Sequence, residues 1–155
     1  MSPALSAHFT DYAAFHGTPG NRACHYVGIP LIVFSLFALL GAAPLATVGG
    51  FTVTLAEVVI LATTVYYLRL DPTLAALMLA VSVVLDVASR RIPVGVAAVL
   101  FVVGWILQFA GHYVYEKRSP AFYRNMAHLL VGPLWILAKA TGRAADQELS
   151  AAQRR

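Results

Sequence analysis

Four histidines lie beside long apolar runs in this chain: His16, His25, His112 and His128. Imidazole is the commonest metal ligand among side chains. Ligating groups at membrane depth are uncommon and usually functional. His16 and His25 precede the first long apolar run, and His112 follows a later one. Glu116 stands four residues beyond His112, so the two share a face if the helix continues. Two or three imidazoles with one carboxylate, and coordination positions left open, form the donor pattern of non-haem Fe(II) oxygenases. A single interfacial histidine is more often hydrogen-bonded to backbone, so the reading depends on the chain bringing several together. His128 fits three roles: a fourth ligand, a residue behind the ligands, or a polar cap on the last apolar segment.

The runs that must position these residues dominate the composition. Of 155 residues 59% are hydrophobic and only 12% are charged, whereas a soluble domain is about 25% charged. This predicts a single integral membrane domain over residues 1–155 and an all-α, polytopic helix bundle. Residues 1–25 read as an N-terminal interfacial segment, with a helix over 3–17 ended by Gly17-Thr18-Pro19-Gly20. The first 25 residues lack a basic start and contain His8, Asp11 and His16, so no cleavable signal peptide is expected. Four transmembrane helices are predicted, at Val27–Leu45, Phe51–Leu70, Thr73–Ala88 and Val94–Ala110, each near the length that crosses about 30 Å of hydrocarbon. Gly49-Gly50, Asp71-Pro72 and Ser89-Arg90-Arg91-Ile92-Pro93 mark the breaks. Residues 126–140 form a shorter fifth apolar helix, interrupted at Gly132-Pro133, and 143–155 a polar tail.

An even number of crossings returns the chain to one face. Four spans separate His25 from His112, so the histidines are expected together. Arg22, Arg69, Lys117, Arg118 and Arg124 fall on their side, and Arg90 and Arg91 on the other. This bias assigns the site to the cytoplasm. The net charge of +4 reads as membrane-flanking basic residues against lipid, with no nucleic-acid partner. One cysteine, Cys24, excludes an intrachain disulfide and a multi-cysteine metal site. Glu57 and Asp86, within or near apolar spans, pair with a hydroxyl or an arginine, or act as a proton relay.

Two strings carry a resemblance. Tyr12-x-x-x-His16, Asn21 and His25-x-x-Gly28-x-Pro30 form the first. Gln108-x-x-Gly111-His112-x-x-x-Glu116-x-x-x-Pro120-Ala121 is the second. From Tyr12 to about Lys139 the chain resembles the membrane 2-hydroxy fatty acid dioxygenases. The resemblance implies Fe(2+) as cofactor, O₂ and a 2-hydroxy fatty acid as substrates, and α-oxidation that removes one carbon. It carries over His16, His25 and His112 as catalytic iron-site residues. Glu116 lies within the second string, and its ligation is an inference from spacing. Tyr12, Asn21 and Arg22 stand as substrate-binding candidates, Arg22 by attraction for a carboxylate. A 2-hydroxy acid can close a five-membered chelate on one ion and supply electrons itself. Its tail would lie among the spans, where burial contributes about 0.8 kcal/mol per CH₂.

Fungal members of that family act in the endoplasmic reticulum. The Ala- and Val-rich composition here points instead to a bacterial inner membrane. Two rivals differ in class: a haem-binding electron carrier with two axial histidines, and a small metal-free transporter or scaffold working through Glu57 and Asp86.

Overall fold

The computed structural model describes residues 1–144. Six α-helices and one small hairpin follow in the order α1 (Pro3–Ala14), α2 (Pro19–Gly41), β1 (Pro44–Val48), β2 (Phe51–Thr54), α3 (Leu55–Leu68), α4 (Pro72–Ser89), α5 (Val94–Ala110) and α6 (Ala127–Ala140). Local chemistry explains most of the starts. Ser2, Thr18 and Asp71 each accept a hydrogen bond from a backbone N–H three residues on, and each precedes a proline at the first helical position. Such a side chain satisfies one orphan donor, and proline lacks the N–H that would be another. Thr54 and Glu57 cap α3 reciprocally.

Among the described residues three helical stretches have the length and apolarity to cross a membrane: Pro19–Gly41, Pro72–Ser89 and Val94–Glu116. The expected first span is longer than predicted and takes in His25. Pro30 does not break it. The expected second span, Phe51–Leu70, does not form as one helix. Gly49 and Gly50 take φ of 58° and 82°, and Val48 pairs with Phe51 and Thr47 with Thr52 across that turn. Paired glycines with positive φ suit a two-residue hairpin, and the flanking β-branched residues favour strands. This leaves α3 with 14 residues, about 21 Å of helix. It still runs back along the bundle. Ala56, at its start, packs with Phe37 late in α2, and Tyr67, at its end, joins Tyr12 and Leu5 of α1. The fifth segment forms α6 without interruption, through Gly132 and Pro133.

The polarity of the molecule is inverted relative to a soluble protein. Val84, Val99 and Ile106 are 67%, 62% and 58% exposed, while His16, Asn21, His25, Ser89 and His112 are buried. An exposed apolar surface this broad is one that lipid, not water, solvates. The contact between α2 and α5 is the most extensive in the bundle. It is made close by two glycines. A Cβ on Gly28 would come within 3.0 Å of the Gly104 carbonyl, and one on Gly104 within 3.1 Å of the Gly28 carbonyl. Small residues at a helix crossing let backbones approach in this way. The pair matters because α2 carries His25 and the chain leaving α5 carries His112.

Candidate metal centre

Each of the three histidines enters the site from a different local structure. His16 lies in the turn between α1 and α2, His25 in the second turn of α2, and His112 in a wide i→i+5 turn, Gly111–Glu116, that continues α5. One ligand atom from each lies within 4.8 Å of the other two. The ring centroids are 4.4 Å apart for His16–His25, 4.8 Å for His25–His112 and 5.0 Å for His16–His112. All three residues are buried.

The tautomers follow from the backbone. His16 Nδ1 lies 2.6 Å from the Tyr12 carbonyl, and His25 Nδ1 lies 2.9 Å from the Asn21 carbonyl. A carbonyl only accepts, so each Nδ1 carries the proton and donates it. Each Nε2 is left with a lone pair. His16 Nε2 is buried with no partner among the described residues, and so is His112 Nδ1. Burial, reinforced by the neighbouring His25, pushes the His16 imidazole down to about 3. It is therefore neutral at physiological pH, the form that ligates. Tyr12 stacks on His16 with centroids 3.9 Å apart, and burial keeps its phenol protonated. Converging imidazoles with unsatisfied nitrogens fit a divalent transition metal.

The other sequence candidates stand outside the three-histidine cluster, although Tyr12 and His128 line the cavity onto which it opens. Glu116 does not join the three histidines. Its carboxylate accepts from Gly17 N and Thr18 N at 3.1 Å, from Thr18 Oγ1 at 2.9 Å and from Asn21 Nδ2 at 3.1 Å. The expected i,i+4 face presumes α-helical winding, and the wider turn rotates Glu116 away from His112. Glu116 instead ties the segment between His16 and His25 to the element bearing His112. His128 also lies outside the three. Its Nε2 pairs with Asp11 Oδ2 at 2.7 Å, fastening α6 to α1. Arg22 donates to the His16 and Gly17 carbonyls at 3.3 Å and 2.8 Å, and it does not line the cavity described next. Asn21 is fully buried and spans Phe15 O and Glu116. Of the substrate-binding candidates only Tyr12 lines that cavity. Glu57 and Asp86 both pair with Arg90, far from the histidines.

The three histidines open onto a cavity of about 340 Å³ whose wall is mostly apolar. Gln108 lines it too, buried, with its Nε2 lacking a partner among the described residues. Sequence reasoning places Gln108 in the second string without giving it a role at the site. Its position one helical turn before His112 is the signal that could have found it. Phe122, just beyond Pro120-Ala121, and Trp105 also form part of the wall.

Fold and site together define a membrane-associated helical bundle with a buried three-histidine centre at the head of an apolar cavity. The family model described as 2-hydroxy-palmitic acid dioxygenase Mpo1-like matches residues 3–144, and the chain belongs to that family. It is 29% identical over 127 residues to the 2-hydroxy-palmitic acid dioxygenase Mpo1 of Saccharomyces cerevisiae, a match covering 81% of this chain and 73% of the yeast protein. No solved structure matches.

Proposed function

We propose that the chain is an Fe(II)-dependent dioxygenase that shortens 2-hydroxy fatty acids by one carbon. The observation that carries this reading is the placement of three buried imidazoles at the head of an apolar cavity. His16, His25 and His112 would hold the ion. Three histidines also suit Zn²⁺, which has no redox chemistry. Kinship with a 2-hydroxy-palmitic acid dioxygenase is what favours iron. When bound, iron would supply the one-electron chemistry that brings O₂ and a hydroxy acid to react.

The chain's own residues account for the rest. The apolar wall takes the acyl tail and leaves the carboxylate and hydroxyl at the histidines, the polar end of the cavity. Carbonyl acceptors on Tyr12 and Asn21 lock two of the imidazoles in one tautomer and orientation. Tyr12 and Trp135, 5.3 Å apart, cover His16 and keep water from it. The Gln108 amide stands one turn deeper, a donor for an oxygen of the bound acid.

The same geometry speaks against the rivals. A haem needs two imidazoles on opposite faces of a broad ring, but here every imidazole has both others within 5.0 Å. Glu57 and Asp86 are held by Arg90 and do not line the cavity that the histidines open onto, which favours the histidine site over these carboxylates as the working groups. The basic residues on the histidine face support a cytoplasmic orientation, in a bacterial inner membrane by composition.

The test uses detergent-purified protein, stripped and reloaded anaerobically with Fe(II). Elemental analysis is expected to give one iron per chain, lost in His16→Ala, His25→Ala and His112→Ala. A 2-hydroxy fatty acid should then drive O₂ uptake and yield an acid one carbon shorter, while the unsubstituted and 3-hydroxy acids should not. Their tails still bind, so the discrimination belongs in kcat. Equal uptake with the unsubstituted acid, or a product of unchanged length, ends this reading.

A further inference from the structure

The cavity runs along the bundle axis. On α2 its wall extends from His25 to Phe37, and on α5 from His112 to Phe101. At about 1.5 Å per residue these stretches measure about 18 Å and 17 Å. Val59 of α3 and Ser82 of α4 line the far part. Past that level the bundle is filled. Phe37 packs with Ala56 and Ile60, and Leu40 and Leu85 close around them. Further on, Arg90 joins Glu57 at the start of α3 to Asp86 near the end of α4. The cavity therefore has a polar head and a closed apolar end. Phe37 both lines it and belongs to the filled layer beneath.

We infer that this closed end sets the longest acyl chain the protein accepts, with Phe37 and Ser82 forming the stop. The inference rests on the fatty-acid reading above and adds the residues that limit length. Three backbone bonds of an extended chain span about 3.6 Å, or about 1.2 Å per bond. A stop 17–18 Å from the histidines is then reached after roughly 14–15 bonds. With its hydroxyl carbon at the histidines, an extended acid of up to about 16 carbons fits, and a longer one meets the floor. Such an acid lies as a lipid does in one leaflet, whose hydrocarbon depth is about 15 Å.

Trp105 lines the cavity, so tryptophan fluorescence reports occupancy without requiring turnover. The experiment is a titration of detergent-purified protein with 2-hydroxy acids of 10 to 22 carbons. Long acids arrive from the micelle, so each added methylene gains little over its starting environment. Affinity is expected to stay level to about 16 carbons and then fall about tenfold or more, because surplus methylenes must fold against a packed floor. Ser82→Phe adds bulk at the stop and should move the break down by roughly three carbons. Phe37→Leu should move it up. Ser82→Phe fills open space and tests the idea even if Phe37→Leu disturbs packing. A level profile through 22 carbons overturns the inference. So does a break that stays in place in a Ser82→Phe protein whose unfolding midpoint matches wild type. O₂ uptake across the same series separates the two readings. A binding break with no turnover at any length keeps the stop and removes the dioxygenase. Turnover without a break does the reverse.

Discussion

Glu116 shows how a residue can be singled out for its type and still do a different job. Its spacing from His112 suggested a ligand, and its four hydrogen bonds make it a clamp on the Gly17–Asn21 segment. Charge-assisted bonds of this kind are the stronger ones, and here they hold His16 and His25 against His112. Glu116→Ala is expected to lower metal affinity by about 10–100-fold, the usual cost of losing a group that orients ligands. Thr18→Ala should weaken affinity in the same direction by less, since two donors to the carboxylate, both backbone N–H groups, remain besides Asn21. Competition with a chelator of known affinity measures both. Unchanged affinity in Glu116→Ala would mean that the clamp does not position the histidines.

At the scale of elements, the α2–α5 pair sets the distance between His25 and His112. Gly28 and Gly104 meet backbone to backbone, where no side-chain rotation can relieve an added methyl. Gly104→Ala is expected to cost about 1–3 kcal/mol and to loosen metal binding as the helices part. Gly95, on the same helix, has open space where an alanine methyl would sit, with nothing within 4 Å. Gly95→Ala should therefore lose nothing and gain some helix propensity. Unfolding in detergent compares the two, and equal behaviour would mean that the close crossing contributes little. The hairpin is the other lesson at this scale. Apolarity over 51–70 suggested one span, but the Gly49-Gly50 turn and the threonines and valines beside it direct residues 51–54 into a strand.

For the whole molecule the consequence is topological. Residues of α1, the end of α3 and the start of α4 share one buried cluster, Leu5 with Tyr67 and Leu74, whereas Phe37, Ala56 and Ile60 form another toward the hairpin. The histidine end and the hairpin end are thus opposite ends of the bundle. In a Cys24→Ser background, cysteines at Ala7 and Ser119 should react with a membrane-impermeant reagent from one side, and a cysteine at Ala46 from the other. All three positions are exposed. Labelling of Ala7 and Ser119 from opposite sides would mean that the histidines cannot meet in the membrane.

What the sequence determined by itself was local or statistical. Proline after a capping side chain marks the start of α4 whatever surrounds it, and the same holds for the basic break before Pro93. The apolar excess demands lipid, and histidines at the ends of runs advertise chemistry by residue type alone. Only the tertiary structure decided which polar groups converge. Residues 16, 25 and 112 meet because two helices cross at glycine. Glu116 turns to the N-terminal segment because the chain leaves α5 in a wider winding. Gln108 joins the cavity wall because its face of α5 is turned inward. The far end of the cavity has no sequence signature at all, because Phe37 becomes a floor only when α3 and α4 close beneath it. Contacts between residues tens of positions apart depend on packing, which a one-dimensional pattern does not contain.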